Sequence, residues 1–204
     1  MYRPRHFAMD DSAALAMAEG IGVGHLVTAR DGVIESSFVP FLVERSDTNV
    51  IVRAHLAVGN THHTSIGENT DAVLIVTGPD AYVSPSWYPS KAEHGKAVPT
   101  WNYSLVHLRG TIRVVDDRDA RLAVVSALTD RHEASRDQPW SVTDAPSEYI
   151  ESQLQAIVAV EMVVTAVEGK AKLSQNRSPA DREGVRDALA TGSPTERAVA
   201  DAME

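Results

Sequence analysis

Two short, proline-marked motifs hold most of the chain's aromatic chemistry: Tyr82-Val83-Ser84-Pro85-Ser86-Trp87-Tyr88 and Val98-Pro99-Thr100-Trp101-Asn102-Tyr103. Elsewhere aromatic residues are scarce, at 5% of the chain, so two tryptophans within fifteen positions is a concentration. Flat rings interleaved with hydroxyls and an amide suit a planar ligand with polar edges, because small-molecule pockets are mostly apolar with a few placed hydrogen-bonding groups. A lone tryptophan would be read more simply as core at a strand end. Two of them in adjoining Pro-Ser/Thr settings favour a site.

The second group is Arg53-Ala54-His55, followed by Gly59-Asn60-Thr61-His62-His63. On a strand, Arg53 and His55 project to the same side. A guanidinium fork beside the free amides of a turn is a way to hold phosphate. Taken alone, a solvated arginine and a packed histidine explain the pattern slightly better. A metal is not expected from His55, His62, His63, His94 and His107, since no H-E-x-x-H spacing occurs and adjacent histidines point apart. The third group, Lys170-Ala171-Lys172-Leu173-Ser174-Gln175-Asn176-Arg177, suits a phosphate or a ring edge, the Gln-Asn pair because amides both donate and accept; a solvated loop is the plainer alternative. No nucleophile elbow, P-loop or dinucleotide fingerprint is present.

These groups sit on a chain of 204 residues, enough for one domain. Its net charge of −9 argues against broad nucleic-acid binding, which needs clustered cations to displace counterions. The absence of cysteine excludes disulfides, thiolate-held metals and thiol nucleophiles. No secretory leader is evident behind Met1-Tyr2-Arg3-Pro4, and no apolar run approaches a membrane span; a soluble cytoplasmic protein is the expectation.

The elements that must position the groups are mainly strands. Val23 to Arg30 and Val33 to Val43 are joined by Asp31-Gly32, a hairpin turn. Strands are predicted at Thr48 to Leu56, Asp71 to Thr77, Tyr82 to Pro85, Ser104 to Val115 and Ala156 to Val167, with Gly110 as a bend or bulge. Ser90 to Lys96 is expected to be a mobile loop. Helices are predicted from Asp10 or Asp11 to Gly20, over Asp116 to His132, and around Glu148 to Leu154. Ser178-Pro179 and the capping box Ser193-Pro194 with Glu196 start two more. The expected class is mainly β with added helices: a barrel of six or seven antiparallel strands with a helical C-terminus.

Several motifs recur together in one family. They are Ser37-Phe38-Val39-Pro40, the two aromatic motifs, Leu128-Thr129-Asp130 with His132-Glu133, and Lys172-Leu173-Ser174-Gln175-Asn176-Arg177. On them the chain resembles the PaiB-type proteins, FMN-binding negative transcriptional regulators of the flavin split-barrel group. The resemblance implies a six-stranded antiparallel split barrel that forms a homodimer with FMN at the interface. It implies residues 1–177 as the FMN-binding domain, with a helical insertion at about 117–154, and 178–204 as an appendage. By matching motif, Arg53, His55 and Asn60 fall at the phosphate side; Thr100, Trp101 and Asn102, with Ser36 and Ser37, fall near the ring. Lys172, Gln175 and Asn176 complete the pocket, from the partner chain. After Asn60 the pattern departs: Thr61-His62-His63 stands where Pro-His and an aromatic are expected. Two other functions fit such a barrel: an FMN-dependent oxidoreductase linked to NADH or NADPH, and a haem carrier using His55, His62 or His63. Direct DNA contact is compatible with the family but not supported by the acidic charge.

Overall fold

The computed structural model describes residues 1–204 and is built on one seven-stranded sheet. In chain order the elements are β1 (Ala8–Met9), α1 (Asp11–Ile21), β2 (Val23–Arg30), β3 (Val33–Arg45), β4 (Val50–Ala57), β5 (Thr70–Val83), α2 (Ser90–His94), β6 (Thr100–Val115), α3 (Arg118–Glu133), α4 (Ser147–Leu154), β7 (Ile157–Lys172), α5 (Pro179–Ala190) and α6 (Pro194–Asp201). The strand order is β1-β7-β4-β3-β2-β5-β6, and β6 also pairs with β7, which closes the main ring. Six long strands therefore make the split barrel, and the seventh, β1, is only two residues long. Compactness divides the chain into two units. Unit 1 is Met1–Met17, Thr77–Val106 and Glu168–Glu204; unit 2 is Ala18–Val76 and His107–Val167.

In unit 2 the hairpin forms as the sequence requires: Arg30 faces Val33, and Asp31 and Gly32 have φ of 52° and 81°. Along β4, Val52, Ala54 and Leu56 are buried while Arg53 and His55 share the opposite face. That face is covered by α3, whose Val124 and Leu128 pack on Ala159 of β7. Asp117 starts this helix by accepting from the amides of Asp119 and Ala120. Gly110 is where two backbones meet, since a Cβ there would lie 1.9 Å from the carbonyl oxygen of Val163.

In unit 1 the two C-terminal helices bury Val185, Leu189, Val199 and Met203 against Val83 and Tyr88. Ser178 caps α5, and Ser193 with Glu196 forms the capping box of α6. Two elements differ from expectation. The strands expected on either side of Gly78-Pro79 are one strand, β5. Its pairing with β2 ends at Ile75, so Pro79 withdraws no donor from that ladder, and the glycine admits Met17, whose Cε would stand 2.6 Å from a Cβ. Residues 90–94 are a helical turn held from outside. Asp181 accepts from the Ser90 amide at 3.0 Å and from its hydroxyl at 2.8 Å, while Gly95 closes the turn at φ 67°. At the other end of the chain, α1 stops at Gly22 (φ 67°), not Gly20.

Candidate functional site

The sequence-derived site residues fall into two groups, one in each unit. In unit 1, the start of β6 and the end of β7 lie together. Lys172 donates from Nζ to Thr100 Oγ1 at 2.6 Å and to the carbonyl of Trp101. Its neighbours are Lys170, buried to 8% with its ammonium 5.0 Å from the centre of the Tyr103 ring and 5.7 Å from that of Tyr2, and Arg177, stacked 4.6 Å from Tyr88. Neither lysine has a carboxylate in ion-pair range, while the Arg177 charge helps hold the Asp181 carboxyl below the usual carboxylate range. Burial, then the charges of Lys170 and Arg177, hold the Lys172 ammonium below the usual lysine range. Beside this cluster Trp101 is 51% exposed, with Tyr82 set edge-on to it at 6.3 Å and 77°. An open aromatic face next to two lysine ammoniums outside any ion pair suits a planar anion.

The amides of the same segment are used internally. Asn102 is buried to 1%; its Nδ2 donates to Ser174 Oγ at 3.0 Å, and its Oδ1 accepts from that hydroxyl at 3.2 Å. Gln175 folds back on its own turn, accepting from Leu173 N and donating to Ala171 O, both at 2.7 Å. This ties down a corner in which Ser174 takes a φ of 65°. Asn176 is exposed beyond it.

In unit 2, Arg53 donates from Nη1 to Glu44 at 2.5 Å and from Nε to Glu161 at 3.2 Å; Glu161 also binds Arg113 at 2.9 Å. Glu161 faces Arg53 directly in the β4–β7 ladder, so sheet register builds the pair. Burial alone would raise the Glu161 pKa, but the hydrogen bonds from Arg113 and Arg53 outweigh it and lower the value. His55 lies on the same face, with Nδ1 buried and unpartnered and its pKa lowered by burial.

The turn after β4 forms a closed network. His62 is buried to 1%, with Nε2 2.8 Å from Thr28 Oγ1 and Nδ1 2.8 Å from Ser37 Oγ. Asn60 donates to the same Ser37 oxygen at 2.9 Å, and its Oδ1 accepts the His62 amide at 3.1 Å. His63 Nδ1 donates to the Asn60 carbonyl at 2.6 Å. Desolvation lowers the His62 pKa, opposed by Glu35, so the ring is neutral near pH 7. Ser36, one residue along, points away from this network and is exposed. No group of three or more His, Asp or Glu side chains converges to hold a metal ion. The sequence reading missed Thr28, whose alternation within β2 gives its burial but not its partner.

A closed antiparallel ring of long strands with helices inserted between its last two is the architecture of the flavin split-barrel proteins. The chain belongs to the family described as "Putative FMN-binding domain", whose model matches residues 1–166, and FMN is the cofactor that membership assigns. Over its full length it is 27% identical to the Protease synthase and sporulation protein PAI 2 of Bacillus subtilis (strain 168), covering 97% of that protein. The fold is similar to that of the flavocytochrome Anf3 from Azotobacter vinelandii, with a TM-score of 0.57, 15% identity, and coverage of 82% of this chain and 71% of that one. It is also similar to the conserved hypothetical protein Rv2991 from Mycobacterium tuberculosis, with a TM-score of 0.59, 12% identity, and coverage of 88% and 94%. The family resemblance and the split barrel read from the motifs are both borne out. No helix is long and apolar enough to cross a membrane.

Proposed function

We propose that this chain is an FMN-binding sensor module of the negative-regulator type, acting as a homodimer and influencing transcription without gripping DNA itself. The observation that carries the reading is the Lys172 cluster. Two lysine ammoniums without carboxylate partners, with the Arg177 guanidinium near them, adjoin the half-open face of Trp101. FMN fits such a cluster, because its phosphate is an anion and its ring system is flat and polar-edged. Lys172, Lys170 and Arg177 would hold the negative charge; Trp101 and Tyr82 would take the ring face, with Thr100 orienting Lys172. Bound FMN supplies hydride or electron exchange, while the chain binds and orients it. We assign Asn60 and Ser37 the role of fixing the turn after β4, and Arg53 a place in the ion pairs that brace β3, β4 and β7.

Exposed Val98 and Trp101 in unit 1 and Phe38 in unit 2, at 67%, 51% and 64%, are the kind of apolar surface a second copy covers. The indirect mode of regulation is supported by the terminal helices, whose arginines already have partners. Arg186 pairs with Glu183 and Asp187, Arg182 donates to the Met203 carbonyl, and Arg197 donates to that of Gly192.

Titration of the purified protein with FMN, followed by flavin fluorescence, tests the reading. Trp101→Ala and Lys172→Met should each weaken binding at least tenfold, about 1.4 kcal/mol. Unaltered affinity in both would remove the site from this cluster. Steady NADH or NADPH oxidation by the loaded protein would favour an oxidoreductase, and a band shift that survives moderate salt would overturn the indirect mode.

A further inference from the structure

Lys170 and Lys172 alternate along β7 and so project to the same side of the strand, wholly within unit 1. Their surroundings differ. Lys170 is buried to 8%, with its ammonium beside two rings, 5.0 Å from the centre of Tyr103 and 5.7 Å from that of Tyr2. Lys172 is half-buried, 6.0 Å from the centre of the Phe7 ring, and donates to Thr100 and Trp101. Glu168, the next residue on that side of β7, is turned to the Met1 ammonium at 3.0 and 3.1 Å. Arg177 differs from both lysines, because it has the Asp181 carboxyl near it.

The tyrosine rings hold the Lys170 ammonium without neutralising it, since a ring offers a quadrupole and no net charge. That charge is felt at Lys172, whose pKa is lowered by burial and then by Lys170. The Lys170 ammonium makes no hydrogen bond within the chain and, unlike the enclosed nitrogen of His55, is not cut off from solvent. Two like charges held side by side and partly shielded from water repel each other, and a ligand with two negative charges on one group relieves both. A phosphate monoester is such a group near neutral pH, with a second pKa of about 6, whereas a phosphate diester has no second proton to lose. We propose that Lys170 is the specificity-determining residue of this site, the one that makes it prefer a terminal phosphate monoester to a diester. The inference rests on the FMN reading of the cluster and adds to it the class of phosphate that the cluster selects.

The test compares ligands with the same ring and different charge on the full-length protein: FMN, its phosphate monomethyl ester, and riboflavin. Each is titrated at about pH 7.5, above the second phosphate pKa, and followed by flavin fluorescence. The wild-type protein should bind FMN at least about tenfold more tightly than the ester. Lys170→Met should lower FMN affinity at least about tenfold and riboflavin affinity less than about twofold, leaving FMN and the ester within about threefold of each other. Lys170→Arg, which keeps both the charge and the contact with the tyrosine rings, should retain the preference. Equal affinity for FMN and the ester in the wild type, a comparison that needs no variant, would overturn the inference and leave the FMN reading standing. So would an undiminished preference in Lys170→Met. An equal loss for all the ligands in that variant would give Lys170 a structural role and likewise overturn the inference. A wild-type protein that shows no saturable FMN binding would overturn the FMN reading and the inference together.

Discussion

His62 is enclosed between Thr28 and Ser37, with both ring nitrogens hydrogen-bonded and almost no surface in contact with water. Protonation there would turn one acceptor nitrogen into a second donor in a site that lacks solvent. The folded state therefore binds a proton more weakly than the unfolded chain, whose histidine titrates near the ordinary 6.5. Stability from this source is fully present above that value and is lost as the pH falls through it toward the lowered native pKa. His55 acts in the same direction. The midpoint of urea unfolding should drop between about pH 7 and pH 5, and His62→Gln should flatten the drop while lowering the plateau by about 2 kcal/mol. A wild-type midpoint unchanged across that range would show that the ring is accessible to protons. At this scale, residue type was legible but partnership was not. Trp101, Thr100 and Lys172 are brought together within one chain, whereas the resemblance put Lys172 across the interface. Asn102 and Gln175, chosen because amides suit a heterocycle edge, satisfy buried or backbone groups instead, which depends on which way each side chain turns.

Among the elements, β6 carries the sharpest constraint. Gly110→Ala would drive a methyl to within 1.9 Å of the Val163 carbonyl oxygen, a contact with backbone that cannot swing aside. The two strands would have to part locally, with a loss of about 3 kcal/mol in thermal unfolding, the upper end of the cost of overpacking. Gly59→Ala, where a Cβ meets nothing within 4 Å, is the matched control. A wild-type melting temperature in Gly110→Ala would mean that β6 and β7 are not in close apposition. The expectation of a bend or bulge at Gly110 identified the position, though not the carbonyl that requires the glycine. Strands and caps announced themselves elsewhere through short-range chemistry, as at Asp31-Gly32, Ser178-Pro179 and Ser193 with Glu196. What escaped the local pattern was set by distant residues. Met17 fills the space left by Gly78, and Asp181 turns a loop into α2 across 91 positions of sequence.

For the whole molecule, an acidic chain that keeps two lysine ammoniums out of ion pairs near Trp101 has a local charge suited to an anion in spite of its net −9. Because the Lys172 ammonium loses its proton below the usual lysine value of 10.5, FMN affinity should fall as the pH is raised toward that value. Lys172→Arg, with a guanidinium that stays charged, should hold the affinity level over the same range. Identical pH profiles for the two proteins would exclude Lys172 from contact with the phosphate. The division into units has a further meaning during synthesis. Val83 and Tyr88 are covered by Val185, Leu189, Val199 and Met203, and Asn102 reaches Met203 Sδ at 3.6 Å, so the core of unit 1 is completed by the last-made helices. Unit 2 draws only on residues 18–167. Val83 and Tyr88 therefore face water until α5 and α6 have been made, and any message cut short before α6 yields a chain with a permanently open greasy flank for quality-control proteases to find.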